Sequence, residues 1–135
     1  RVVEYFYVET PNTPGVGGAM LTTLRDAGVN LLAFSGFPSG RRAQLDFVPT
    51  DGAALKALAK QHKWKLTGPK RAFLIEGDDR IGACADVLSR LATVKVNVTA
   101  MDALAGGGRY SAILWVKARD VKKAADDLDR VPRPR

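Results

Sequence analysis

A mixed α+β fold built from two consecutive βαββαβ units is predicted by three features of the sequence. The chain matches itself at an offset of 67 residues, glycine-rich turns divide apolar stretches in both halves, and stretches of helical spacing follow strands in a fixed order. In the self-match Phe6 falls on Phe73, Glu9 on Glu76, Gly15 on Gly82, Leu21 on Leu88 and Leu24 on Leu91. Val29 and Asn30 fall on Val96 and Asn97, Ala33 on Ala100, Gly40 on Gly107 and Arg42 on Arg109, which makes ten identities without a gap. Two copies of one supersecondary unit explain that register. Residues 1–67 are expected to form the first domain and 68–135 the second.

Each element has its own signal. Val2 to Val8 and Ala72 to Ile75 are rich in β-branched and aromatic residues, as opening strands are. Thr13-Pro14-Gly15 then starts a helix, with threonine capping free amides and proline at the first helical position. Its apolar stripe is Met20, Leu21, Leu24 and Ala27, and Gly28 ends it. In the second copy Asp79 stands at the helix mouth and the stripe is Cys84, Val87, Leu88 and Leu91. Strands from Val29 to Phe37 and from Val96 to Leu104 follow. Pro38-Ser39-Gly40 and Gly106-Gly107-Gly108 fold them back into Arg42 to Val48 and Tyr110 to Lys117. Gln44 and Asp46 alternate with Leu45 and Phe47, the pattern of a sheet with one wet face.

Asp51 and Asp120 are expected to cap the second helices, which carry Leu55 and Leu58 in one copy and Val121, Ala124 and Leu128 in the other. Trp64-Lys65-Leu66 supplies a short closing strand in the first copy, and the basic stretch Lys65 to Arg71 joins it to the second. Val131, just before Pro132 and Pro134, leaves the second closing strand doubtful. The order is the ferredoxin-like split βαβ arrangement, an antiparallel sheet with two helices on one face. Side-by-side packing of the copies would merge their sheets and protect exposed edges. Halves this small bury only ~60% of their unfolded surface, so each is expected to lean on the other.

Composition narrows the function classes. With 46% hydrophobic and 26% charged residues the chain is neither disordered nor a disulfide-dense scaffold. Apolar runs such as Ala112 to Val116 are too short to span a bilayer. No basic start followed by an apolar stretch and a small-residue cleavage site is visible, and the single Cys84 closes no internal bridge, so a cytoplasmic protein is expected. The net charge of +7 gathers between Asp51 and Glu76, where Lys56, Lys60, Lys63, Lys65, Lys70 and Arg71 meet no acid. Such a run reads first as a solvated face and second as a surface for an acidic partner.

Catalytic chemistry is poorly provided for. His62 lies among lysines without an orienting carboxylate, Cys84 sits on an apolar stripe, and the two together fall short of a zinc ligand set. Asp78 and Asp79 are adjacent, but neighbours in a loop need not face one substrate. Gly15-Val16-Gly17-Gly18 lacks the third glycine and the distant acid of a dinucleotide fingerprint, and no phosphate-loop lysine follows. No cofactor is expected. The stretch from Gly108 to Trp115 echoes the basic-glycine-aromatic strand of RNA-recognition motifs, with Tyr5, Phe6 and Tyr7 as further rings, but alanine stands where a stacking ring is needed.

The recurring polar residues are more informative. Asn30 and Asn97 occupy one place in both copies, and so do Asn12 and Asp79 in the loop that opens the first helix. A helix mouth offers free amides and partial positive charge for a carboxylate, and an adjacent Asn or Asp offers acceptors for an ammonium group. Together they complement a free amino acid. A turn role for the asparagines, which tolerate left-handed backbone, is the competing account.

Thr-Pro-Gly before a helix, Leu-x-x-Leu within it and Gly-Val-Asn-Leu after it resemble the ACT domain, a small regulatory module of amino-acid metabolism. Asp79-Arg80-Ile81-Gly82 and Lys95-Val96-Asn97-Val98 resemble a second, more divergent copy. The resemblance covers the chain up to Pro132 and is to stand-alone tandem ACT proteins. It implies a non-enzymatic regulatory protein, homodimeric, that binds an amino acid between the helix-opening loop of one domain and the second-strand start of a neighbour. Carried over, the positions are Asn12, Pro14, Gly15 and Val16 with Asn30 and Leu31, and Asp79, Ile81, Gly82 and Ala83 with Asn97 and Val98. Asn12 stands where the family often has an acid, and Ile81 replaces the proline. Two other functions stay open: a ligand-free pairing module acting through a protein partner, and an RNA-binding domain.

Overall fold

The computed structural model describes residues 1–129. Their elements run β1 (Val2–Pro11), α1 (Val16–Asp26), β2 (Leu31–Ser39), β3 (Arg42–Pro49), α2 (Gly52–Gln61), β4 (Thr67–Asp78), α3 (Ala83–Thr93), β5 (Val98–Gly106), β6 (Arg109–Val116) and α4 (Val121–Asp129). A single 3-10 turn, Ala118–Asp120, precedes α4. The fold is therefore mixed α/β, with six antiparallel strands and four helices among the described residues in a βαββαβ-like order. No helix of the described residues is long and apolar enough to cross a membrane.

The chain divides into two compact units, and the division runs through β1 and β4. The first unit is Glu4–Lys70; the second is Arg1–Val3 with the chain from Arg71 onward. In the first unit β3 lies between β2 and β1, with Phe6 opposite Phe47, Val8 opposite Leu45 and Thr10 opposite Ala43. Residues 67–70 run beside Tyr5 to Tyr7: a methyl group at Gly68 would lie 2.8 Å from the Tyr5 carbonyl oxygen, and Lys70 Nζ sits 5.2 Å from the centre of the Tyr7 ring. The core on the helix-facing side is Phe6, Val8, Met20, Leu24, Leu45, Phe47, Leu55 and Leu58. Phe34 on β2 tilts onto Phe47 with ring centres 5.5 Å apart.

The second unit repeats this plan. β6 lies between β4 and β5, with Phe73 opposite Leu114, Ile75 opposite Ala112 and Gly77 opposite Tyr110. Its core gathers Phe73, Val87, Leu91, Val96, Leu114, Val116, Val121 and Ala124. The place of a closing strand beside β4 is taken by the start of the chain. Arg1 N donates to the Leu74 carbonyl at 2.7 Å, and Leu74 N donates back to the Arg1 carbonyl at 2.9 Å, the reciprocal pair of an antiparallel ladder. Val131, the doubtful closing strand, lies outside the described residues.

Local signals fare unevenly. Asp51 is the cap of α2, its carboxylate accepting from Ala54 N at 3.2 Å. Asp120 is not a cap: the 3-10 turn begins after Lys117 and places Asp120 inside it, its amide donating to the Lys117 carbonyl at 2.8 Å. Thr13 does not cap α1 either. The cap is Gly15, left-handed at φ 92°, and this turn leaves Thr13 two residues too early. Gly82 at φ 83° does the same for α3, and neither helix receives a side-chain cap. Trp64-Lys65-Leu66 is not a strand. Lys63 ends α2 in a left-handed conformation at φ 57°, Leu66 N folds back onto the Trp64 carbonyl, and both apolar side chains pack on the core. The ladder starts only at Thr67, so the basic stretch from Thr67 to Arg71 is part of β4 and only Lys65 and Leu66 precede it. Asp46 is buried at 6% exposure instead of facing water, and Gln44 Nε2 donates to it at 2.9 Å.

Candidate functional site

The first unit holds a cleft of about 280 Å³ where β1 gives way to α1. Thr10, Pro11, Asn12 and Thr13 form one wall, Val16 and Gly17 on α1 the second, and Gly36, Phe37 and Pro38 on β2 the third. Ala43 and Leu45 on β3 line the remainder. Thr10 is buried and stands opposite Ala43, whose small side chain leaves the space above the sheet empty. Gly36 stands opposite Leu45, and a methyl group there would meet Leu45 Cδ2 at 3.1 Å, so glycine lets the leucine lean outward. At Gly17 a methyl group would make only an ordinary 4.0 Å contact with Leu45.

The α1 N-terminus opens beside this cleft. Its first-turn amides have no side-chain cap, and no acid occupies the first turn. Unpaired amides with the positive end of the helix dipole suit a carboxylate. The volume lies just below the ~300–1,000 Å³ usual for small-molecule sites.

Of the positions expected to bind, Asn12 and Val16 line the cleft, while Pro14 and Gly15 form the turn above it. Asn30 and Leu31 are not there. Pro11 stands opposite Arg42, whereas Leu31 stands opposite Pro49, seven residues further along β3 and roughly 23 Å away. The second unit shows the same separation: Asp78 pairs with Arg109 and Val98 with Val116. Asp79 is exposed, its amide donating to the Gly108 carbonyl at 3.0 Å, and Asn97 is exposed at the far end. Ile81 is fully exposed, while Ala83 is buried in the helix packing. Within one unit, then, the loop positions and the second-strand positions do not meet.

The asparagines are not left-handed. Among non-glycine residues described, positive φ occurs at Lys63 and Lys95. Asn30 serves instead through its carbonyl, which accepts from Thr50 N at 3.0 Å and from Thr50 Oγ1 at 3.4 Å.

Other candidates lose their chemistry in the fold. His62 is exposed and stacks on Trp64, ring centres 5.5 Å apart. Cys84 is half-buried and Leu88 is 40% exposed, so the α3 stripe narrows to Ala83, Val87 and Leu91. No cluster of His, Cys, Asp and Glu suited to a metal occurs among the described residues. Of the first-strand rings that an RNA-binding sheet would present, Phe6 is a core residue with almost no exposure, while Tyr5 and Tyr7 are half-buried. Thr10, Gly36, Phe37, Ala43 and Leu45 carry no signal of the cleft in the sequence, because they become a group only through strand register.

No protein-family model matches the sequence, and no curated protein sequence matches it. Solved structures do match its fold. One is protein BT0572 from Bacteroides thetaiotaomicron, at a TM-score of 0.84 and 17% identity, covering 95% of this chain and 87% of that one. A second is the regulatory subunit of aspartate kinase from Thermus thermophilus in its ligand-free form, at 0.63 and 16%, covering 96% and 91%. A third, the aspartokinase alpha and beta subunits, matches at 0.63 and 15%, covering 96% and 90%. The aspartokinase regulatory subunits are ACT-domain proteins, and the fold of this chain is the ACT fold.

Proposed function

We propose that the chain is a non-enzymatic regulatory protein of two ACT-like domains in tandem that binds a free amino acid. The observation that carries this reading is the first-unit cleft, which opens against the uncapped start of α1 beside Asn12 and Thr13. Helix amides would take the α-carboxylate. The Asn12 amide oxygen and the threonine hydroxyl would take the ammonium group, and Val16 and Leu45 would face the side chain. Asn30 and Leu31, and in the other copy Asn97 and Val98, would complete a site from a neighbouring copy of the unit. Asp79, Ile81 and Gly82 occupy the corresponding loop. In a cytoplasmic homodimer, a ligand that bridges two copies acts by population shift, because it binds only the arrangement that forms its site.

The test is a thermal-shift screen of the protein against the twenty free amino acids at millimolar concentration. A ligand at a hundredfold excess over its dissociation constant stabilises the folded chain by about 2.7 kcal/mol, which moves the melting point by several degrees. One amino acid raises it, and Asn12→Ala removes the shift. Loss of the shift on Asn30→Ala with Asn97→Ala supports completion of the site by a second copy. Twenty flat curves refute the sensor and leave a pairing module acting through a partner.

A further inference from the structure

The two units differ at several equivalent cross-strand pairs, and one of these differences bears directly on the cleft. In the first, Thr10 on β1 stands opposite Ala43 on β3, and the space above them is the cleft. In the second, at the same offset of 67, Gly77 on β4 stands opposite Tyr110 on β6. A small residue has become a ring, and its partner has become glycine. The exchange is sterically coupled: a methyl group at Gly77 would lie 2.8 Å from Tyr110 Cε1 and 3.5 Å from its Cζ. Only glycine lets the ring lie across β4 at that point. Cross-strand partners share one face, and Gly77 and Tyr110 share theirs with Ile75, Phe73 and Leu114, so the ring is on the helix side of the sheet.

The surroundings of the Tyr110 hydroxyl give its position. Burial pushes it above the ordinary tyrosine value, the Cys84 thiol and the Asp86 carboxylate push it further, and the Arg80 and Arg109 guanidiniums oppose them. Arg80 is itself held by an ion pair to Asp86. Cys84, Arg80 and Gly77 are the counterparts of Gly17, Thr13 and Thr10, three residues that line the first-unit cleft.

We infer that Tyr110 occupies, in the second unit, the space that is an open cleft in the first. The chain thus fills one of its two equivalent sites with its own side chain and leaves the Thr10–Ala43 cleft to take the ligand. The inference deepens the amino-acid reading by assigning that role to one unit, and it rests on that reading for the class of ligand alone.

Its test needs no ligand. Cys84 is the only cysteine of the chain, so its modification by dithiobis-nitrobenzoate reports access to the second-unit space without ambiguity. Tyr110→Ala raises the rate of Cys84 modification about tenfold in the folded protein, and Tyr110→Phe, which keeps the ring, leaves it unchanged. In a Cys84→Ser background, Gly17→Cys places a thiol in the open cleft with Tyr110 intact, and it reacts about tenfold faster than Cys84 of the unaltered chain. Equal Cys84 rates with and without the Tyr110 ring overturn the inference. So does a thiol at position 17 that reacts no faster than Cys84. Neither rate depends on whether any amino acid binds, so a failed ligand screen does not touch this result.

Discussion

Gly28 and Lys95, 67 residues apart, close the first helix of their units with the same left-handed turn, at φ 73° and 60°. In both, the amide of that residue reaches back to the third residue before it, Arg25 or Ala92, at 3.0 Å. The next amide, Val29 or Val96, reaches the fifth before it, Leu24 or Leu91, at 2.9 Å. These are the two bonds of a Schellman cap. The hydrogen bonds are conserved within the repeat while the residue that suits them is not.

The difference sets a measurable asymmetry. A side chain in the left-handed region costs roughly 1–2 kcal/mol, and glycine returns about 0.4–1 kcal/mol of that through the greater freedom of the unfolded chain. Lys95→Gly is therefore expected to stabilise the protein by about 0.5–1 kcal/mol, and Gly28→Ala to destabilise it by a similar amount. Urea unfolding of the three proteins measures both. Gly28→Ala without loss would mean that the first cap is not strained by a side chain.

That pair also shows what the sequence makes legible. The repeat was readable because its identities sit where geometry repeats: Phe6 and Phe73 in the two cores, Gly15 and Gly82 as left-handed caps, Leu24 and Leu91 on the buried helix faces. The Asp51 cap was readable because side chain and amide lie three residues apart. Contacts between distant segments were not. Nothing local announces that Arg1 pairs with Leu74, and the first strand gives no sign that it serves both units. The cleft was hidden for the same reason. Thr10, Gly36 and Ala43 are unremarkable singly, and only the register that sets Thr10 against Ala43 and Gly36 against Leu45 makes them a wall. Tyr110 belongs by its sequence to a possible stacking strand, whereas its ring lies on the helix side of the sheet.

Alkaline stability follows from two tyrosines. Burial, then Asp46 and Tyr7, raise Tyr5 above the ordinary value of 10.0, and burial with Cys84 first raises Tyr110. The folded state thus disfavours both tyrosinates relative to the unfolded chain. The stability carried by the neutral hydroxyls is complete below the unfolded value and is lost as pH rises through the higher folded values. Urea midpoints are expected to fall between about pH 9 and 12, and Tyr5→Phe with Tyr110→Phe to flatten that fall. A double variant with the same alkaline slope as the parent would place the loss on other groups.

The exchange of Thr10–Ala43 for Gly77–Tyr110 predicts how the first cleft can be closed. Ala43→Tyr alone puts a ring against the Thr10 side chain, in the geometry where a Cβ at Gly77 would sit 2.8 Å from Tyr110. The ring must swing off the sheet, and the cleft stays partly open. Thr10→Gly alone empties the wall and closes nothing. Together they recreate the second unit's pair, so their effects on stability are not additive, with a favourable coupling of about 1 kcal/mol. In the Gly17→Cys, Cys84→Ser background the double change slows modification of the introduced thiol toward the rate of native Cys84, and each single change does so less. Additive stabilities together with an unslowed thiol would show that the ring does not settle over position 10, and that the two units differ there by more than this pair.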